Sequence, residues 1–170
     1  MQRGQKARMA KDVRWLVILA FGCAEPARET VPADSSFAAL QERGAEAMGV
    51  NQYTSSHSFE PLPDGGRIVL QRDSADAAGT ETIRAHMRDI AARFAQGDLS
   101  IPGFVHAQTV PGTDVMAARK EHIRYTADTL PRGGQVRILT TDSAAIAAIH
   151  AFLAFQNSDH RTAGHSHTGQ

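Results

Sequence analysis

Two stretches of this 170-residue chain repeat one another: LPDGGRIVLQRDS at residues 62–74 and LPRGGQVRILTTDS at residues 130–143. Both run Leu-Pro-x-Gly-Gly, then an alternating aliphatic segment, then Asp-Ser, and so large a match indicates a duplicated supersecondary unit. The alternation predicts strands, and the Pro-x-Gly-Gly element a tight turn whose glycines take positive φ. Each copy therefore reads as a hairpin: Ser56 to Leu62 with Arg67 to Arg72, and Ile123 to Leu130 with Gln135 to Thr140. A helical stripe follows each one, from Thr80 to Gln96 and from Ser143 to Gln156, the second capped by Asp142 or Ser143.

A partial stripe of Phe37, Leu40, Ala47 and Met48 adds a short helix before the first hairpin. The order α-ββα-ββα predicts an α+β fold: a duplicated ββα unit forming an antiparallel sheet of about four strands, with helices on one face, preceded by a short helix. The length suits one core, so residues 37–160 read as a single domain, with the repeats at about 53–98 and 122–158. The connector LSIPGFVHAQTVPGTDVMAARK is too long for structureless chain and should hold a short helix from Thr113 to about Lys120.

The ends read differently. MQRGQKARMAKDVR carries five Lys or Arg and one Asp, and the apolar run WLVILAFG and Cys23 follow it. This is the pattern of a signal peptide over residues 1–22, with translation starting at Met1 or Met9. AFGC is close to a bacterial lipobox, although Ala20 stands where Leu is usual; Cys23 is then the lipidation site, and the membrane is met through that anchor alone. Ordinary cleavage after Gly22-Cys23-Ala24 is the alternative. Residues 23–36, rich in Pro and Ser, read as a tether. Residues 161–170, and the ending SDHRTAGHSHTGQ with His160, His165 and His167, read as a disordered tail whose histidines bind metal only opportunistically.

Without residues 1–22 the chain holds 13 basic and 17 acidic residues, which with the absence of a basic block excludes a nucleic-acid partner. An exported, periplasmic or envelope location suits such a chain. No G-x-S-x-G elbow, phosphate loop or dinucleotide fingerprint occurs, and Cys23 belongs to the leader, so an enzyme is the least supported reading.

Outside the leader stand eight histidines, three methionines and no thiol beyond Cys23, a ligand set suited to copper or zinc. None lies at a standard motif spacing. In IRAHMRDIAARF, Ile83, Met87, Ile90 and Phe94 form an apolar stripe with His86 on its border. His57 shares the phase of Phe59 on the first strand, Met48 ends the first helix, and His106 and Met116 lie in the connector. These five form a candidate metal set, with a structural role for each histidine and core filling by each methionine as the alternative. The ligand reading requires the His86 nitrogens to lie within roughly 4 Å of those of His57 or His106. Histidines held apart, or each on a backbone carbonyl, are structural.

Aligning Ile83 with Ile146 sets Met87 opposite His150 inside the second helix's stripe, where a backbone carbonyl or the Tyr125 hydroxyl should satisfy the ring. A different class of function is an envelope protein-interaction module, docking a partner on the open sheet face where Val69, Leu139 and Leu62 point. An enzyme would require a carboxylate orienting His57 or His86 beside a pocket.

The segments MGVNQYTSSHSF, LPDGGRIVL, IRAHMRDIAARFAQGD, PGFVH, VPGTDVM, RGGQVRI and AIHAFLAFQ together resemble a family of small exported bacterial proteins, largely uncharacterised, over about residues 37–160. The resemblance implies family positions at Met48, His57, His86, His106, Met116 and His150. Some relatives carry an aspartate carbamoyltransferase label, but that enzyme needs two domains and carbamoyl-phosphate motifs, and this chain is too short and has neither.

Overall fold

The computed structural model describes residues 33–162. The residues read as a signal peptide, Cys23, most of those read as a tether and the end of the expected tail lie outside the described residues. Five α-helices and four strands follow one another: α1 (Ala33–Met48), β1 (Ser55–Leu62), β2 (Gly65–Arg72), α2 (Ala77–Ala95), α3 (Ser100–His106), α4 (Thr113–Ala118), β3 (Arg124–Leu130), β4 (Gly133–Leu139) and α5 (Ser143–Asp159). The sheet is fully antiparallel in the order β1-β2-β4-β3, so the expected α+β architecture is the one observed.

Three local readings need correction. Residues 33–36, read as tether, open α1. The connector holds α3 as well as α4, because Pro102 falls in the first turn of α3, where its missing N–H costs no helical bond. The glycine pairs are not the turns: Pro63-Asp64 and Pro131-Arg132 are, and the glycines begin β2 and β4. Gly65 does take the expected positive φ, and the first glycine of each pair also sits at a close approach. A Cβ at Gly133 would lie 2.0 Å from the Leu70 carbonyl oxygen, and one at Gly65 (φ +134°) would lie 2.3 Å from that of Ile138. The first glycine of each pair therefore lets β2 and β4 meet at the centre of the sheet.

β2 and β4 are related by an approximate dyad. Arg72 N–H donates to the Arg132 carbonyl at 2.8 Å, and Thr140 N–H donates to that of Asp64 at 2.9 Å, the same bond made from each side. The helices obey the same relation but are exchanged. α2, which follows the first hairpin, lies over β3 and β4, while α5 lies over β1 and β2. Two hydrogen bonds fix the exchange: Arg84 of α2 donates to the Leu130 carbonyl at 2.8 Å, and His150 of α5 donates to that of Leu62 at 2.9 Å. His150 thus has a backbone-carbonyl partner and a tying role. The equivalent positions are Arg84 and His150, not Met87 and His150, which moves the helix alignment by one turn.

Matching N-caps confirm this register. Asp76 accepts from Gly79 N–H at 3.0 Å, and Asp142 accepts from Ala144 and Ala145 N–H at 2.9 and 3.0 Å. Those amides, the Ala145 bond first, hold the Asp142 carboxyl below its usual range. Asp142→Ala should destabilise the fold by removing this cap. Chemical denaturation should show it as a lower midpoint with an unchanged slope.

The enclosed layer between sheet and helices contains Leu70, Ile83, Val136, Ile138, Ile149, Phe152 and Leu153, all at 1 % exposure or less. The opposite sheet face is polar at its centre, where Glu60, Arg67, Arg137 and Thr126 stand in one cross-strand row. Of the apolar side chains proposed for docking, Val69 stands alone between Ser58 and Gln135, while Leu62 and Leu139 share the edge row Leu62–Gly65–Leu139–Arg124 with only a glycine between them.

Candidate functional site

The dyad shows where the halves differ. In one half Phe94 of α2, Tyr125 of β3 and Phe152 of α5 pack edge to face, with centroids 5.7 Å (Phe94–Tyr125) and 6.2 Å (Phe94–Phe152) apart. The capping aspartates and the hairpin repeats map these residues onto His160, His57 and His86. An aromatic core in one half therefore becomes three imidazoles in the other. The His57 and His160 centroids are 5.0 Å apart, and Phe59 stacks on both at 5.5 Å.

His57, His86, His106, His160 and Met48 line one cavity of about 50 Å³, walled otherwise by Gln156 and by apolar side chains including Phe59 and Phe152. That volume suits an ion with a water or two, whereas pockets for organic ligands run to ~300 Å³ or more. Met48, His57, His86 and His106 of the expected set are thus brought together. Met116 is not: it is fully buried in the hydrophobic core and does not line the cavity.

Each element delivers its residue for a local reason. α1 ends at Met48, and His57 Nε2 lies 3.3 Å from the Met48 sulfur. The strand phase that buries Phe59 turns His57 the same way. His86 occupies the helix face that buries Ile83 and Ile90 and is 9 % exposed. No hydrogen bond reaches its ring among the described residues.

His106, the last residue of α3, is anchored at both nitrogens: Nδ1 by the Asp159 carboxylate, and Nε2 by Gln156 Oε1 at 2.9 Å. Gln156 Nε2 is buried without a partner among the described residues. The carboxylate that an acid–base reading asks for is therefore on His106, not on His57 or His86.

His160 is the residue sequence reasoning missed. It caps α5 and is followed by a turn through Thr162, so the structured chain extends past the point where composition turns polar. Asp159 grips His106, and the next residue, His160, packs at 5.1 Å on the His106 ring. The signal was available in the match between Asp76 and Asp142, which sets His160 opposite the buried Phe94.

Burial, then the neighbouring His86 and His106 rings, lowers the His57 pKa from the ordinary 6.5 to about 4. Burial, then His57 and His106, lowers that of His160 to about 3 against the opposing pull of Asp159. Burial also lowers His86, opposed by Asp89. Neutral imidazoles with free lone pairs are the form that ligates metals.

The His57–His160 and His57–Met48 spacings agree with that chemistry, whereas among the described residues no ring contact or hydrogen bond joins His86 to His57 or His106, so the approach expected of the His86 nitrogens has no counterpart here. An ion about 2.0–2.1 Å from each nitrogen sets two imidazole centroids about 5 Å apart at a tetrahedral angle, and a sulfur and a nitrogen on one ion stand roughly 3.3–3.6 Å apart. Even so, among the described residues no three His, Asp or Glu side chains converge as a complete ligand group. Closure on an ion would require side-chain rotation. No family model, curated protein or solved structure matches the chain.

Proposed function

We propose that the protein binds one transition-metal ion, copper before zinc, between His57, His86, His160 and Met48, without catalysing a reaction. The observation that carries this reading is the replacement of an aromatic core by three proton-poor imidazoles beside a thioether, around a cavity of ionic size. Imidazole with thioether and no thiolate favours copper, above all in its reduced state. His106, held by Asp159 and Gln156, orients the set by packing against His160. The leader-like residues 1–22 and Cys23 support placing this activity in the cell envelope.

Protein lacking residues 163–170, so that His165 and His167 contribute nothing, should take up one equivalent of Cu(I) under reductant in competition with a chromophoric chelator. His57→Ala with His160→Ala should weaken binding by at least about a hundredfold, the loss of two of four ligands. No stoichiometric uptake, or uptake indifferent to these substitutions, defeats the reading.

A further inference from the structure

The thioether of the ligand set comes from α1, and α1 is fastened to the domain differently from the long helices. Its buried stripe is one residue wide, Leu40, Gly44 and Met48. It packs mainly on α3 and on the short turn Gln52–Thr54, whereas α2 and α5 lie on the sheet. Open depressions of about 560 and 570 Å³ flank it, one toward α3 and the end of α5, the other toward that turn. Resting on the metal reading above, we propose that α1 is a strap hinged at Gly49, which closes over the site and is held closed by the ion through Met48.

The hinge is a residue able to turn. Gly49 directly follows α1 and stands in the left-handed region at φ +69°. Beyond it the chain is tied to the hairpin: Arg72 Nη1 donates to the Asn51 carbonyl at 3.3 Å, and Asp73 N–H donates to that of Thr54 at 3.1 Å. Rotation at Gly49 therefore lifts α1 and leaves β1 in place.

Two costs oppose closure. Gln52, only 6 % exposed, donates its Nε2 to the Val50 carbonyl at 2.9 Å, and its Oε1 is buried without a partner among the described residues. α1 covers this amide, since a Cβ on Gly44 would lie 3.3 Å from the Gln52 Cγ and 3.4 Å from its Cδ. An acceptor buried without a donor is costly, and lifting the strap returns it to water. At the other end of α1, Arg161 lies 4.2 Å over the Phe37 ring and holds a left-handed φ of 55°, which strains a residue other than glycine. Burial of Leu40, the Phe37–Arg161 contact and the bond from Arg43 Nε to the Val105 carbonyl at 2.8 Å favour closure. Opposed terms of this kind make α1 an element of low local stability. An ion shared by Met48 and His57, whose Nε2 lies 3.3 Å from the sulfur, binds the closed form better and draws the population to it.

Hydrogen exchange read by mass spectrometry tests the strap, on protein lacking residues 163–170 with and without Cu(I) under reductant. Without the ion α1 should exchange at least about tenfold faster than α2 and α5, and Cu(I) should slow it by about tenfold. Met48→Leu keeps the apolar contact and removes the ligand; its imidazoles should still take up the ion, with α1 exchange unchanged. Gln52→Met removes the buried acceptor and should slow α1 about threefold in the ion-free protein, a reading independent of the metal. Ion-free α1 as slow as α2, equal slowing by Cu(I) in Met48→Leu, or no slowing in Gln52→Met overturns the strap and leaves the binding site standing. Failure of the unsubstituted protein to take up Cu(I) overturns both.

Discussion

Replacing His57, His86 and His160 together with phenylalanine should stabilise the folded chain, and the gain should grow as the solution is acidified. Folding holds His57 at about 4 and His160 at about 3, below the ordinary 6.5. As pH falls through 6.5 the unfolded chain takes up protons that the folded chain refuses, so stability declines from about pH 6.5 down to the folded values. Above about pH 7.5 both states are neutral and this loss vanishes. Each unit of separation is worth about 1.4 kcal/mol, so the two sites together remove on the order of several kcal/mol by pH 4, a large part of a small domain's stability. Phenylalanine does not titrate, and equivalent positions in the other half already hold Phe94, Tyr125 and Phe152. Phenylalanine is preferable to tyrosine at residue 57 because the Tyr125 hydroxyl is itself buried without a partner among the described residues. Urea unfolding at pH 7.5 and pH 5 should show a steep pH dependence in the parent and a shallow one in the triple variant. Equal slopes would mean that these imidazoles do not govern acid unfolding.

The second large effect is at the centre of the sheet. Gly133→Ala places a methyl 2.0 Å from the Leu70 carbonyl oxygen and 2.9 Å from the Gln71 Cα, both backbone atoms of the facing strand. Neither can move without parting β2 from β4, so the substitution should cost at least about 3 kcal/mol or prevent folding. Gly103→Ala is the control: in α3 its Cβ meets only the Gln108 carbonyl oxygen at 3.8 Å. Better helix propensity should there give a gain of up to about 1 kcal/mol. A soluble Gly133→Ala protein with parental thermal stability would show that the seam has more room than these distances allow.

The hairpins and most helices could be read directly because alternation and helical stripes are local properties of the chain. Helix exchange could not, since a helix following its hairpin looks the same whichever hairpin it covers; only long-range contacts such as Arg84 to Leu130 and His150 to Leu62 decide it. Strand phase and helix face placed His57 and His86 toward the enclosed layer, and the neighbouring Met48 and His106 followed from connectivity. Met116 failed because its position in the connector says nothing about which side of α4 faces the core. His160 was hidden twice, by the polar composition of the tail and by an alignment on Ile83 and Ile146 in place of the two capping aspartates. The glycine pairs were taken for turns because a requirement for close strand approach leaves the same residue type as a requirement for positive φ.

The exchange of α2 and α5 has a consequence for how such a chain holds together. Neither ββα unit covers its own hairpin, so a single unit would expose the apolar face of its sheet and could close it only by taking a helix from a second copy. The arrangement is that of a two-fold symmetric dimer joined end to end by α3 and α4. Joining the units in one chain fixes their ratio at one to one and replaces a concentration-dependent association by an intramolecular one of roughly millimolar effective concentration. It also frees them to diverge, so that one unit supplies the aromatic packing of Phe94, Tyr125 and Phe152 while the other carries three imidazoles in equivalent places. A dimer of identical chains would have to bear the unstable imidazole cluster twice; this chain bears it once.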